Sequence, residues 1–309
     1  MSPKLFVLFI LAAVGKRGSA ARPVLKFSPN YNPIFSGEKM KMTCDSQPKE
    51  TEYSWLFNNA IISKGDLYEI PSANIMQSGN YQCQTKDGSK SEMVALNVTE
   101  GQLILQTAPY IHEGDRLMLR CHHNPGMTGT MSIFYKNKAE LRGWNDDALF
   151  TEPGITMNAS GSYSCIKKLS WDSRSSQSTA SATIKVKELF TVPVISMFPN
   201  PPKGGDKVSL KCQATVSTYK PKTELWYAFY KDGENIQIFS PANQCGIPSE
   251  KLKPSGKYSC AVTPKLSSVT KKSQAIYLKS SKAALTQNIV GLALYECILI
   301  MSFMFIFIT

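Results

Sequence analysis

The chain has 309 residues, a formal net charge of +12, eight cysteines and three histidines. The positive charge is spread along the sequence without a basic run of five residues, which indicates a solvated, lysine-rich surface and argues against a nucleic-acid-binding protein. An acidic glycan or an acidic protein partner is the alternative explanation of this charge. The sequence has no Gly-rich phosphate loop, nucleophile elbow or Cys-x-x-Cys pair, so we expect neither an enzyme nor a metal or cofactor site.

The first 20 residues have the pattern of a cleaved secretory signal peptide. Lys4 precedes an apolar stretch at 5–14, and small residues follow at 18–20. We expect cleavage after Ala20 or Ala21. The mature chain would then enter the secretory pathway.

Three similar phrases, each ending in a cysteine, predict strands with one buried face. They are GEKMKMTC ending at Cys44, GDRLMLRC ending at Cys121 and GDKVSLKC ending at Cys212. In each phrase the residues two and four positions before the cysteine are apolar, and the intervening positions include a basic residue, which is Lys41, Arg120 or Lys211. This alternation is typical of a β-strand whose cysteine points toward a core.

A second phrase, Ser-Gly-x-Tyr-x-Cys, follows each of the first phrases and ends at Cys83, Cys165 and Cys260. A tyrosine two residues before a core cysteine has the tyrosine-corner position of an immunoglobulin sandwich, where its hydroxyl bonds to nearby backbone. The tyrosines at this position are Tyr81, Tyr163 and Tyr258.

An immunoglobulin sandwich also has an inward-facing aromatic residue between its two cysteines. Aligning the repeats on the turns at 58, 137 and 232 puts Trp55, Phe134 and Phe229 at this position. We therefore predict an all-β fold of three tandem immunoglobulin-like β-sandwich domains with a C-terminal membrane segment. The predicted domains are 21–99, 100–188 and 189–279, and the predicted disulfides are Cys44–Cys83, Cys121–Cys165 and Cys212–Cys260.

The cysteines and the sequons indicate an oxidising, extracellular compartment. Cys245 has no partner in the predicted scheme. It is either a buried, unreactive thiol or the site of an intermolecular disulfide that makes a covalent dimer. The sequons at Asn97 and Asn158 are the expected glycosylation sites.

The apolar C-terminal tail is compatible with two kinds of membrane attachment. Residues 289–308 would span about 30 Å as a helix, which matches one bilayer core, and residues 280–288 would form a stalk. This arrangement is a single-pass type I protein at the plasma membrane with an extracellular ectodomain. Small residues at Ser280 and Ser281, followed by a polar spacer and the apolar tail, also fit a lipid-anchor signal.

Three segments resemble Fc receptors and Fc-receptor-like proteins. EGQLILQTAPYIHEGDRLMLRCH at 100–122 is similar to the start of their second domain, VKELFTVPVI at 186–195 to the junction with the third domain, and FYKDG at 229–233 to a third-domain strand and turn. The overall arrangement most resembles the three-domain, high-affinity type of IgG receptor. The resemblance implies a cell-surface immune receptor that binds a protein ligand, an immunoglobulin or another immune protein.

The sequence departs from this resemblance at two positions. In the classical IgG and IgE receptors, two tryptophans clamp a proline of the antibody Fc. The corresponding residues here are Gln102 and Asn124. Because losing a central tryptophan at an interface often costs more than about 2 kcal/mol, the resemblance implies an immune receptor more firmly than it implies antibody binding.

The candidate ligand contacts lie in the stretch KKLSWDSRSSQS. Trp171 is expected in the loop between the last two strands of the second domain, beside Lys167, Lys168 and Arg174. A loop aromatic beside basic residues is typical of a protein-contact site. The alternative is that Trp171 folds onto its own sandwich, and Trp144 is a further, weaker candidate.

Glu296 is a membrane-partner candidate, because an ionisable group in hydrocarbon needs a partner or a proton. Several Fc receptor ligand-binding chains are similar in design, with a separate adaptor that carries the signalling tyrosines. Since the sequence ends at Thr309, directly behind the predicted span, we expect signalling through such an adaptor. The alternatives are an immunoglobulin-superfamily adhesion molecule and a lipid-anchored decoy receptor, in which Glu296 has no role in the mature protein.

Overall fold

The structure is a computed structural model that describes residues 22–172, 174–200, 208–247 and 256–278. The predicted signal peptide, stalk and membrane span, including Glu296, lie outside these residues. Among the described residues, no helix has the length and apolar character that a membrane crossing requires.

The described residues form two compact units. The first unit holds residues 22–111, 117–152 and 160–185, and the second holds 112–116, 153–159 and 186–278. The first unit contains the cysteine pairs of the first two repeats, and the second contains the pair of the third repeat. The predicted domain boundaries stay predictions.

The first repeat consists of short strands and one turn of 3₁₀ helix at Ile75–Gln77. Its strands are β1 Val24–Ser28, β2 Ile34–Phe35, β3 Met40–Asp45, β4 Tyr53–Phe57, β5 Ala60–Gly65, β6 Leu67–Ile70, β7 Gly79–Gln84, β8 Val94–Leu96 and β9 Val98–Thr99. They form the sheets β1-β3-β6 and β5-β4-β7-β8, and β2 pairs with β9 in parallel. The apolar faces of the two larger sheets meet in one buried core.

The second repeat contains the longest strands of the described chain and a 3₁₀ turn at Met157–Ala159. Its strands are β10 Leu103–Gln106, β11 Ile111–His112, β12 Leu117–His123, β13 Thr128–Lys136, β14 Ala139–Asn145, β15 Leu149–Glu152, β16 Gly161–Trp171, β17 Arg174–Ile184 and β18 Val186–Lys187. The sheets are β10-β12-β15 and β14-β13-β16-β17.

The third repeat has the same two-sheet plan. Its strands are β19 Val194–Phe198, β20 Val208–Gln213, β21 Leu225–Lys231, β22 Glu234–Ser240, β23 Gln244–Ile247, β24 Gly256–Pro264, β25 Lys271–Lys272 and β26 Ile276–Leu278. One sheet is β19-β20-β23, and the other is β22-β21-β24-β25 with β26 also pairing with β24. A buried apolar cluster lies between these sheets.

In each repeat the inward aromatic residue lies directly across the sheet from the second cysteine. The paired residues are Trp55 with Cys83, Phe134 with Cys165 and Phe229 with Cys260. All three aromatic side chains are fully buried. Each second cysteine is joined to the first cysteine on the opposite sheet, and the bonds are Cys44–Cys83, Cys121–Cys165 and Cys212–Cys260. The all-β, immunoglobulin-like fold is confirmed.

A two-residue turn follows the strand that carries each inward aromatic residue. The φ angles are 48° and 70° at Asn58 and Asn59, 49° and 72° at Asn137 and Lys138, and 50° and 92° at Asp232 and Gly233. Positive φ at both central residues is the mark of a type I′ turn, whose twist matches that of a β-hairpin. Asn, Asp and Gly are the residues that adopt this conformation most readily.

The first residue of each turn is tied to the phrase Ser-Gly-x-Tyr-x-Cys by two hydrogen bonds, which we name the turn lock. In the first repeat the Asn80 backbone N–H donates to the Asn58 side-chain oxygen at 2.9 Å, and the Asn58 N–H donates to the Asn80 carbonyl at 2.8 Å. The same pair of bonds joins Ser162 to Asn137, at 3.0 and 2.8 Å, and Lys257 to Asp232, at 2.8 and 2.8 Å.

The glycine of the phrase leaves room for the turn lock. A Cβ atom on Gly79 would lie 2.4 Å from a ring carbon of Phe57 and 2.8 Å from the side-chain oxygen of Asn58. A Cβ atom on Gly161 or Gly256 would lie 2.9 or 2.8 Å from a side-chain oxygen of the corresponding turn residue. Carbon atoms do not pack this closely, so a residue with a side chain would displace the turn.

The tyrosine of the phrase lies two residues after the glycine and points into the core. The Tyr81 hydroxyl donates to the carbonyl of Gln77 at 2.9 Å, which is a tyrosine-corner bond. Tyr163 and Tyr258 are also almost completely buried. The residue four positions before Tyr258, which corresponds to Gln77, lies outside the described residues.

Cys245 is half-buried on β23 and packs against the core of the third repeat. It pairs across the sheet with Leu210, which is fully buried, so both side chains face inward. Burial raises the pKa of the Cys245 thiol, and a raised pKa keeps the thiol protonated and a poor nucleophile. These features favour the unreactive thiol over the intermolecular disulfide.

We predict that Gly79→Ala lowers the free energy of unfolding by about 1 to 3 kcal/mol, because the new methyl group overlaps Phe57 and the turn residue. Urea unfolding followed by tryptophan fluorescence measures the change. Gly101→Ala is the matched control, since the nearest atom to its Cβ is 3.8 Å away. Equal stability of the two variants would contradict the role given to the glycine.

Candidate protein-binding surface

The candidate contact residue Trp171 ends a long hairpin. It is the last residue of β16 and pairs directly with Arg174, the first residue of β17. Trp171 is half-buried, whereas Arg174 is exposed. Trp171 therefore lies in a strand and not in the expected loop, because the two strands stay paired to their ends.

Lys167 is not available for a ligand contact, contrary to the prediction from the sequence. It follows Cys165 by two positions on β16, so it points to the same inner face, and only 4% of its surface is exposed. Its ammonium donates to the carbonyl of Cys121 at 3.2 Å. Burial, and secondarily the charge of Arg120, lower the pKa of Lys167.

Lys168 points to the opposite, outer face of the sheet and meets Trp144 there. Its Nζ atom lies 5.0 Å from the centroid of the Trp144 ring and 4.0 Å from Met131 Sδ. Trp144 is 37% exposed. A lysine over an exposed tryptophan is a cation–π contact worth about 0.5–1 kcal/mol. We name Trp144, Lys168 and Met131 the Trp144 face.

Arg142 anchors the edge strand that carries Trp144. Its guanidinium lies 4.8 Å from the ring centroid of Phe134, and it donates to the carbonyl of Leu149 at 2.8 Å and to the carbonyl of Asp147. Since Phe134 is fully buried opposite Cys165, these contacts tie β14 to the core. An aromatic side chain on an anchored strand loses little freedom on binding, which favours affinity.

The two clamp positions, Gln102 and Asn124, lie side by side in the structure. The Asn124 N–H donates to the Gln102 carbonyl at 2.9 Å. The Gln102 side-chain oxygen accepts a hydrogen bond from Ser178 Oγ at 2.9 Å, and the Asn124 side-chain oxygen accepts one from the Gly126 N–H at 3.0 Å. Two polar, hydrogen-bonded side chains therefore occupy the positions at which the classical IgG and IgE receptors have the two tryptophans of the clamp.

The expected glycosylation sites differ in their surroundings. Asn97 lies between β8 and β9, and Asn158 lies in the 3₁₀ turn at Met157–Ala159. Both residues are exposed. Asn97 belongs to the lining of a groove, described below, whereas Asn158 does not.

His122 makes contacts that stabilise the fold. His122 Nε2 donates to Glu38 Oε1 at 2.5 Å, and the His122 ring lies 5.4 Å from that of Phe35. Burial lowers the pKa of His122, although the bond to Glu38 acts in the opposite direction. Across residues 22–278, apart from the gaps in the description, no group of His, Cys, Asp and Glu is arranged to hold a metal ion.

His112 is completely buried in the second unit. Its Nε2 atom is 2.8 Å from Ser217 Oγ, and its Nδ1 atom is 3.9 Å from Asp115 Oδ2. Burial lowers the pKa of His112 to about 4, and the positive charge of Lys220 is the second cause. The charge of Asp115 raises this pKa, whereas that of Lys187 lowers it further. His112 is therefore neutral in the folded protein near pH 7.

Comparisons with known proteins agree with the immunoglobulin-like fold. Residues 22–98 match the family model described as an immunoglobulin domain. The chain is 27% identical over 91% of its length to mouse Fc receptor-like protein 5, 26% identical over 87% to human Fc receptor-like protein 3, and 26% identical over 90% to human Fc receptor-like B. These alignments cover 48%, 37% and 67% of the three relatives.

The disulfide-linked sandwiches and the matching domain model define a protein of the immunoglobulin superfamily. Within that superfamily, the chain is similar to several Fc receptor-like proteins over most of its length. It spans about half or less of the length of the first two relatives.

We predict that the protein loses stability as the pH falls from about 6.5 toward 4. The unfolded chain binds a proton at His112 near pH 6.5, whereas the folded protein binds it only near pH 4, so between these values the proton favours the unfolded state. The loss due to His112 alone is about 2 to 3 kcal/mol.

Urea unfolding at pH 7 and pH 4.5 measures this loss in the wild type and in His112→Gln. The variant should lose clearly less stability between the two pH values, whatever its stability at pH 7. An NMR titration of the His112 ring gives an independent reading. A midpoint near 6.5 in the folded protein would contradict the prediction.

Proposed function

We propose that this protein is a cell-surface immune receptor of Fc-receptor-like type that binds a protein ligand through its immunoglobulin domains. Similarity to Fc receptor-like proteins and the pattern of a signal peptide support placement of these domains outside the cell. The three disulfides are in agreement with an oxidising compartment. A type I membrane span or a lipid anchor at the C-terminal tail would hold the protein at the plasma membrane.

The observation that carries this proposal is the Trp144 face. It combines an exposed tryptophan, a methionine and a lysine on an anchored β-sheet. Tryptophan and methionine are enriched at the centres of protein interfaces, whereas lysine is not. Lys168 adds positive charge beside the aromatic ring, so an acidic group on the ligand would be favoured there. Trp171 and Arg174 lie at the tip of the same hairpin, but the alternation along β16 turns both to the face opposite Lys168, so they are not part of the Trp144 face.

Signalling through an adaptor is the second part of the proposal. Glu296 would lie about 10 Å along the axis of the predicted span, which is too deep for easy contact with water. An acidic group at that depth needs a membrane partner with a donor or a positive charge. The adaptor would supply this group and the cytoplasmic signalling motif.

Homophilic adhesion is the second candidate function, and the edge strand β22 favours it. Ile236 and Ile238 on this strand are 41% and 76% exposed. Exposed apolar side chains on a sheet edge are typical of association surfaces. In this case a second copy of the protein, and not a different immune protein, would be the ligand.

We predict that Trp144→Ala and Lys168→Glu each weaken binding of the natural ligand about tenfold or more, because both remove contacts from the centre of the surface. The ligand is first identified by screening cells that display the full chain against soluble immunoglobulins, MHC-like proteins and the protein itself. Lys39→Glu is the control for charge, since Lys39 is exposed on the first repeat.

The screen separates the two candidate functions. Heterologous binding that depends on Trp144 supports the receptor. Binding to the protein itself that survives Trp144→Ala and is lost in Ile238→Lys supports adhesion. Ligand binding that neither variant changes would contradict the proposed surface.

We also predict weak or absent affinity for IgG Fc, because polar residues occupy both clamp positions. Surface plasmon resonance of the monomeric ectodomain on immobilised IgG Fc at physiological salt tests this. Nanomolar binding would contradict the prediction and would require a different footprint on the receptor.

Membrane attachment and the role of Glu296 can be tested on cells. A phosphatidylinositol-specific phospholipase should not release the protein from cells, and Glu296→Leu should abolish co-precipitation of the adaptor while leaving surface display intact, because the membrane carboxyl group is the adaptor contact. Glu296→Asp is the control that retains the acidic group. Release by the phospholipase would contradict the adaptor and support the lipid anchor.

A further inference from the structure

A groove of about 370 Å³ lies within the first unit. It is bordered by three short segments: residues 32–33 before β2, residues 107–111 after β10, and residues 181–185 at the end of β17. Asn97, between β8 and β9, completes the lining. A volume above roughly 300 Å³ is within the range of sites that hold small molecules or sugars.

Hydrogen bonds fix the segments on one side of the groove. Asn32 and Thr107 exchange backbone hydrogen bonds, with N–O distances of 2.9 and 3.2 Å. The Gln106 side-chain amide donates to the carbonyl of Pro33 at 2.9 Å. These bonds hold the segment before β2 against the segment after β10, so this side of the groove is already formed in the free protein.

The backbone of Asn97 is also fixed, and its side chain is directed outward. The Asn97 N–H donates to the Asn32 side-chain oxygen at 2.8 Å, and the Asn97 carbonyl accepts from the Ile34 N–H at 2.9 Å. Its neighbours Leu96 and Val98 are buried, and in an extended chain this alternation points the residue between them away from the core. Asn97 thus presents its amide nitrogen at the groove.

The opposite side of the groove carries groups that suit a carbohydrate. Ser181, Thr183 and Lys185 alternate along the end of β17, and all three are exposed. Their hydroxyls and ammonium can donate hydrogen bonds to sugar oxygens. Ala108 and Pro109 supply apolar surface against which the carbon face of a sugar ring can pack.

We propose that an N-linked glycan on Asn97 folds back into this groove and that its first sugars bind to the end of β17. The sequence Asn97-Val98-Thr99 is an acceptor site for such a glycan. The proposal rests on the extracellular placement proposed above. The glycan would cover the segments at 107–111 and 181–185 and, attached covalently only at Asn97, would join the first repeat to the second through noncovalent contacts.

The experiment is hydrogen exchange with mass spectrometry on the full chain produced in mammalian cells, with glycopeptide analysis of the same samples. Asn97→Gln and Thr99→Ala both remove the acceptor site, whereas Thr99→Ser retains it. Asn158→Gln is the matched control, because it removes a glycan away from the groove. We expect exchange at 107–111 and 181–185 to become about threefold faster, or more, in Asn97→Gln and Thr99→Ala, and to stay unchanged in the other two variants.

Each other outcome overturns the proposal in a distinguishable way. If Asn97 carries a glycan and its removal leaves exchange in both segments unchanged, the glycan extends into solvent and the groove has another occupant. If Asn97 is bare while Asn158 is glycosylated and the protein reaches the cell surface, only this inference fails. If both sites are bare and the protein stays inside the cell, the extracellular placement fails with it.

Discussion

The turn lock is the contact on which the rest of each sandwich depends. It joins the hairpin turn after the aromatic strand to the strand that carries the second cysteine, through the pairs Asn58–Asn80, Asn137–Ser162 and Asp232–Lys257. This contact fixes the register of the two strands. A slip of one residue would turn the cysteine and the tyrosine to the wrong face of the sheet, because side chains alternate along a strand. With the register fixed, the aromatic residue lies opposite the cysteine and the disulfide can close.

Much of this architecture could be predicted from the sequence, because strand alternation and the Tyr-x-Cys phrase are local patterns. The apolar residues before Cys44, for example, are all on the buried face of β3. The reason for the repeated glycine could not be predicted in the same way. The atoms that exclude a side chain at Gly79 belong to Phe57 and Asn58, more than 20 residues earlier in the chain, and only folding brings them together.

The candidate site was harder to predict than the fold, and Lys167 shows why. A cluster of basic residues beside a tryptophan is typical of a contact loop, but the strand continues through Lys167, which therefore faces the core. The alternation from Cys165 carried this information, since residues two apart share a face. Trp144, the weaker sequence candidate, has the better placement, because its contact with Lys168 is across strands and no local pattern contains it.

The surface and the similarity to Fc receptor-like proteins both bear on the proposed function. The side-chain oxygens of Gln102 and Asn124 accept hydrogen bonds from their neighbours, and neither residue offers an aromatic ring to a partner. The exposed aromatic residue is instead on the outer face of the same domain, held by Arg142 and the buried Phe134. The proposed receptor would have the same scaffold as its relatives and would bind its ligand through the Trp144 face, not through the clamp positions.

A double-mutant cycle on the third repeat tests the turn lock most directly. Asp232→Gly removes the side chain of the lock and keeps a residue that accepts the positive φ of 50°. Gly256→Ala places a methyl group where the Asp232 carboxylate lies, 2.8 Å away. If the lock is the constraint, Gly256→Ala will destabilise the wild type but cost at least about 1 kcal/mol less in the Asp232→Gly background. Effects that add to within about 0.5 kcal/mol would contradict this account.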